Sequence, residues 1–131
     1  MATATPPPST CKKAVLIVED EPLLLMEAAD MVADAGYLPI ETTNAKEALA
    51  VLRQRGDICI LFTDINLAGS IDGLALAREV ADRWPPIDVI VASGRHTIDD
   101  SSLPHRARFM PKPYLPSDFN RLLADFNHPV M

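Results

Sequence analysis

The chain has 131 residues, 48% of them hydrophobic and 23% charged, and its 12 Lys plus Arg against 18 Asp plus Glu leave a formal charge of −6. That is the make-up of one small globular domain with a real core, which excludes a two-domain enzyme and a disordered chain. The acidic balance argues against a nucleic-acid binder, which needs a basic stripe to displace counterions, and no apolar run approaches the roughly 20 residues that cross a bilayer.

Residues 1–12 read as a flexible tail. Pro6, Pro7 and Pro8 favour extended, solvated backbone, and without an apolar stretch the segment is not a secretory signal. Cys11 and Cys59 offer no disulfide framework, and Cys59 lies in an apolar run where a buried thiol is the default, so a cytoplasmic location is expected. From Ala14 the pattern alternates between short β-branched runs and helix-period segments. Ala14 to Val18 is continuously apolar, as a strand covered on both faces should be. Glu19, Asp20 and Glu21 break it, and Pro22 suits the first turn of a helix whose apolar side carries Leu24, Leu25, Ala28, Met31, Val32 and Ala35, closed by Gly36. Leu38 to Thr42 is a second strand, and Asn44 caps a helix running to about Arg55.

Ile58 to Thr63 is the strongest strand and ends at Asp64. After a loop, Asp72 caps a helix through Leu74, Ala77, Val80 and Trp84, which Pro85 and Pro86 terminate. Ile87 to Ala92 is a fourth strand leading to Ser93 and Gly94. A polar run, Arg95 to Arg106, has almost no apolar period, so the fourth helix expected there is short or irregular. A fifth strand, Ala107 to Met110, leads to Pro111, Lys112, Pro113 and Tyr114, and a last helix starting near Ser117 presents Phe119, Leu122, Leu123 and Phe126. Strands alternating with helices predict an α/β fold, a doubly wound five-stranded parallel sheet with right-handed crossovers and helices on both faces. In such sheets the site lies at the carboxyl ends of the strands, where the strand order reverses.

That rule singles out Glu19, Asp20, Asp64, Ser93 and Lys112. Three carboxylates on one edge repel one another unless a cation compensates, and oxygen ligands alone favour Mg²⁺. Lys112 adds a cation and Ser93 a hydroxyl, a set suited to a phosphoryl group carried on Asp64 as an acyl phosphate. Singly, each residue has a plainer reading: Glu19 and Asp20 as helix caps, Asp64 and Ser93–Gly94 as turns, Lys112 as a surface lysine. Their coincidence at the ends of four different strands is what caps and turns do not require. His96, His105 and His128 lack metal-ligand spacing and read as solvated.

The motifs VLIVEDEP (Val15 to Pro22), FTDINL (Phe62 to Leu67), Asp72–Gly73, VASG (Val91 to Gly94) and PKPY (Pro111 to Tyr114) occur in order at those strand ends. Over Lys13 to Asn127 the chain resembles the CheY-like receiver domain of two-component response regulators. The resemblance implies a flavodoxin-like fold and phosphorylation of Asp64 by a histidine kinase or a histidine phosphotransfer protein. It implies Mg²⁺ held by Glu19, Asp20, Asp64 and the backbone carbonyl of Asn66, with Ser93 as the switch hydroxyl, Lys112 pairing with the phosphate, and a cis bond before Pro113. The family's switch aromatic falls at Phe109, which lacks a hydroxyl and reads equally as a core residue.

Where the chain departs from the family pattern, the loop after Asp64 lacks a proline and is one residue longer. The reduced fourth helix removes part of a common dimer surface, so any homodimer should be weak. Arg95, two residues after Ser93, is expected with Asn66 to set the lifetime of the phosphorylated state. Residues 13–127 are thus read as the domain and 128–131 as a tail, a stand-alone receiver that is a phosphoacceptor assisting its own phosphorylation and dephosphorylation rather than an enzyme. Output is expected through contacts with an unidentified protein target, by way of residues 95–106 or the last helix, with no nucleic-acid or membrane partner. A flavin carrier is set aside because acids stand where phosphate would be cradled. An aspartyl phosphatase is set aside because Asn66 stands where a second acid is needed. A receiver-like interaction module that works without phosphorylation remains the alternative.

Overall fold

The computed structural model describes residues 13–67, 72–94, 103–104 and 107–126. Arg95, the three histidines and both tails lie outside them, as does all but Leu103 and Pro104 of the stretch expected to hold the irregular helix. Five strands and four helices follow in the order β1 (Ala14–Val18), α1 (Pro22–Asp34), β2 (Leu38–Thr42), α2 (Ala45–Gln54), β3 (Ile58–Asp64), α3 (Gly73–Arg83), β4 (Asp88–Ser93), β5 (Ala107–Pro111) and α4 (Pro116–Asp125). The expected α/β architecture is therefore present. β4 begins one residue later than the apolar run suggests and extends through Ser93, while α3 stops at Arg83 with Trp84 as its cap.

All strand pairs are parallel, in the order β2-β1-β3-β4-β5. Right-handed crossovers dictate which face each helix covers. The step from β1 to β2 runs one way along the sheet and the step from β2 to β3 runs back, so α1 and α2 must lie on opposite faces. One core joins Leu16, Val18, Leu61 and Val91 to Ala48, Leu52, Leu76 and Val80 of α2 and α3. The other joins Ile17, Ile60, Phe62 and Met110 to Ala28, Val32, Phe119 and Leu123 of α1 and α4. The reversal falls between β1 and β3, where the chain leaves both strands at the same edge.

One irregularity sets the phase of β3. Ala14 pairs with Ile58 but Val15 pairs with Ile60, so Cys59 is the extra residue of a bulge. Cys59 and Ile60 then both pack toward α1, and Phe62 follows on that side. Burial pushes the Cys59 thiol up to about 11, which leaves it protonated and inert.

The helices start where their caps allow. Asn44 Oδ1 accepts from the Glu47 N–H at 2.8 Å, while Glu47 Oε1 accepts from the Thr43 N–H and hydroxyl at 2.8 and 2.9 Å. Asp72 caps α3 through the Ala75 N–H at 2.8 Å. Asn44→Ala should lower stability by about 1 kcal/mol, measured as a shift in the urea midpoint at unchanged slope. At α4 the cap residue is Leu115, whose N–H donates to Asp118 Oδ2 at 2.8 Å. The tight turn after α1 needs Gly36, at φ 94°.

Candidate functional site

At the carboxyl edge of the sheet, backbone hydrogen bonds continue one residue past the strands and fix the loops that leave them. The Glu19 N–H donates to Thr42 O at 3.1 Å, Ile65 N–H to Ala92 O at 3.0 Å, and Lys112 N–H to Ser93 O at 2.9 Å. Thr42, buried, also donates its hydroxyl to Ile17 O at 2.7 Å, bracing the end of β1. The positions of Glu19, Asp64 and Lys112 are thereby set by the sheet rather than by mobile loops.

Glu19, Asp20 and Asp64 bring carboxylate oxygens within 4.8 Å of one another. Sequence alone could not rank them; the fold does. Glu19 is buried at 5% exposure, Asp64 is half-buried, and Asp20 is exposed. The plainer reading of Glu19 and Asp20 as helix caps does not hold. Glu21 is the cap of α1, accepting from the Leu23 N–H at 3.3 Å, and Glu19 in turn accepts from the Glu21 N–H at 3.1 Å. Glu19 is thus turned inward.

Lys112 answers the acids. Its Nζ lies 3.1 Å from Glu19 Oε1 and 3.3 Å from Asp64 Oδ2, one cation shared by two carboxylates. Burial, reinforced by Asp64, holds the Glu19 carboxyl above the usual carboxylate range, while the Glu21 amide and Lys112 pull it back. The Lys112–Pro113 bond is cis. The Lys112 stem runs past Gly94, where a Cβ would meet Lys112 Cβ at 3.4 Å.

Ser93 ends β4 one residue beyond the Asp64–Ala92 pair and is buried. The Asn66 side chain is exposed, and its N–H donates to Asp64 Oδ1 at 3.4 Å. Phe109 pairs with Val91 across β4 and β5 and is half-buried. The structure thus brings Glu19, Asp20, Asp64 and Lys112 into one cluster, with Ser93 and Asn66 on the chain beside it. Arg95 lies outside the described residues.

Two residues with a bearing on the site stand in the family motifs but carried no role of their own in the sequence reading. Gly73 opens α3 where a Cβ would overlap the Asp64 carbonyl oxygen. A glycine at the first position of a helix already capped by Asp72 was the available signal. Tyr114 reaches the site from two residues beyond Lys112, with its ring edge-on to Phe62 at 5.6 Å between centroids. Nothing in its spacing announced that.

Chemically, the donor set fits a hard divalent cation: carboxylate oxygens only, mutually repulsive, and compensated among the described residues by Lys112. The same set, with a carboxylate beside a fixed ammonium group, suits a phosphoryl acceptor.

Residues 15–117 match the family model of the response regulator receiver domain. Among similar proteins, the sensor protein TorS of Escherichia coli is 29% identical over 96% of this chain and 15% of its own length. An NtrX-like response regulator of Rickettsia felis is 36% identical over 65% of this chain and 18% of its own. The chain therefore spans a small part of the curated relatives it matches. A crystal structure of a response regulator receiver protein from Sinorhizobium medicae superposes with a TM-score of 0.79 at 22% identity, covering 88% of this chain and 94% of that one. No helix among the described residues is long and apolar enough to cross a membrane.

Proposed function

The chain belongs to the response regulator receiver family of two-component signalling, and from that premise we propose that it accepts a phosphoryl group on Asp64 from a histidine kinase or histidine phosphotransfer protein. The observation that carries this reading is the shared cation: Lys112 Nζ lies within 3.3 Å of both Glu19 and Asp64, in a cluster of three carboxylates. In the transfer, an Asp64 oxygen bonds to phosphorus as the bond from phosphorus to the donor breaks, its electron pair leaving with the donor. Lys112 is already in place to neutralise the charge that arrives, so no reorganisation is needed at that moment.

Glu19, Asp20, Asp64 and the Asn66 backbone carbonyl would hold Mg²⁺, which supplies electrostatic stabilisation of the transferring phosphoryl oxygens. Ser93 donates its hydroxyl to the phosphorylated side chain, Phe109 responds from β5 as Ser93 moves, and Asn66 with Arg95 governs how water reaches phosphorus. A protein donor has an apolar landing place. Leu23 and Met26 on α1 are 60% and 59% exposed and Leu115 is 64% exposed. An open groove of about 380 Å³ is lined by Leu24, Glu27, Gly94, Lys112, Pro113 and Tyr114. Output passes to a protein target.

Incubation with Mg²⁺ and acetyl phosphate, followed by intact-mass measurement, tests the reading. Wild type should gain one phosphate and Asp64→Asn none. No gain with either this donor or a histidine kinase would favour a module that binds its partner without phosphorylation.

A further inference from the structure

Beneath the Glu19–Asp64–Lys112 cluster lies a cavity of about 10 Å³, room for about one water molecule. Outside it runs the groove of about 380 Å³ between α1 and the turn before α4. Two side chains, Lys112 and Tyr114, face both spaces. Lys112 is held by Glu19 and Asp64, and the ring of Tyr114 stands beside it as the other wall shared by the two spaces. We propose that Tyr114 is a positioning residue: its ring, beside Lys112, separates Asp64 from the groove and thereby sets how slowly phosphate is lost from Asp64. This rests on Asp64 being the phosphoacceptor.

The ring is held from behind. Phe62, two residues before Asp64 on β3, meets it edge-on at 5.6 Å and stacks on Phe119 of α4 at 6.1 Å. Phe119 is fully buried, so the row behind the ring is anchored in the core. Burial, followed by the charges of Glu19, Glu27 and Asp64, pushes the Tyr114 hydroxyl up to about 12. The ring therefore stays neutral and adds no fourth charge to the acids. Loss of phosphate is attack by a water oxygen on phosphorus with rupture of the bond to Asp64, releasing inorganic phosphate, the carboxylate and a proton. A wall that leaves space for one water beneath the cluster limits the ways a second can arrive.

The test compares Tyr114→Phe and Tyr114→Ala by two rates: loss of phosphate after loading with acetyl phosphate and Mg²⁺, and acylation of Lys112 Nζ by a small amine-reactive acylating reagent, read from peptide masses without phosphorylation. Tyr114→Phe keeps the ring and should stay within about twofold of wild type in both, whereas Tyr114→Ala should raise both by about tenfold. Unchanged rates in a folded Tyr114→Ala protein overturn the inference, as do equal increases in the two variants, which would assign the effect to the hydroxyl. If Tyr114→Ala does not fold, Tyr114→Leu takes its place with the same expected direction. Wild type that takes up no phosphate would remove the phosphoacceptor reading and the lifetime role together, while faster Lys112 acylation in the alanine variant would still establish the wall.

Discussion

Gly73→Ala should lower stability by about 3 kcal/mol, or about 10 °C in Tm, a larger effect than a one-methyl change on a surface helix ordinarily produces. The reason is what the methyl meets. It would overlap the Asp64 carbonyl oxygen and lie 2.7 Å from the Asp64 carbonyl carbon and 2.8 Å from Ile65 Cα. Those are backbone atoms at and just past the end of β3, held by the Ile65 N–H bond to Ala92 O, so they cannot rotate aside as a flexible side chain would. Relief requires the start of α3 to move, which strains the 2.9 Å bond from the Gly73 N–H to Ile65 O. Because the displaced carbonyl belongs to Asp64, the proposed phosphoacceptor, uptake from acetyl phosphate should slow as well. Gly56→Ala is the control. It has nothing within 4 Å of the new methyl, its φ is not left-handed, and it should stabilise by about 0.5 kcal/mol through the unfolded chain alone. A Gly73→Ala protein as stable as wild type would mean that the helix start is free to slide.

Much of the architecture was legible because each element satisfied several local rules at once. β1 is apolar throughout and β3 is apolar from Ile58 to Phe62 because both faces are covered, and Asn44 and Asp72 cap α2 and α3 as their hydrogen-bonding capacity predicts. The site was legible at the level of strand ends, since the topology alone sends Glu19, Asp64 and Lys112 to one edge. What stayed hidden depended on pairing between distant segments. The bulge at Cys59 decides that Phe62 faces Tyr114 and Phe119, and no pattern within β3 reports it. Three acids in a row, Glu19 to Glu21, could not reveal which turns inward. The Thr42 carbonyl that fixes the Glu19 amide sits 23 residues away, at the end of a neighbouring strand.

Lys112→Met in buffer free of divalent cations should cost about 1–3 kcal/mol at neutral pH, because it strands a buried carboxylate while keeping the hydrophobic stem. Lys112 is 19% exposed and its partner Glu19 7% at the side chain, so solvent replaces little of what is lost. The pH dependence identifies the cause. Glu19 already binds its proton more tightly in the folded chain than at its ordinary value of 4.5, chiefly through burial, and Lys112 is one of the groups holding that rise in check. Without Lys112 the carboxyl rises further. A raised acid lowers stability above its folded pKa, where the charge must be buried, and the loss is relieved as pH falls and the folded form takes up its proton first. The gap in urea midpoint between wild type and Lys112→Met should therefore be widest at neutral pH and close as pH falls toward 4.5. A gap that does not vary with pH would instead assign the loss to how the substituted side-chain end packs rather than to the stranded carboxylate. Mg²⁺ at neutral pH should narrow the same gap, since a cation among Glu19, Asp20 and Asp64 relieves the repulsion that Lys112 otherwise relieves.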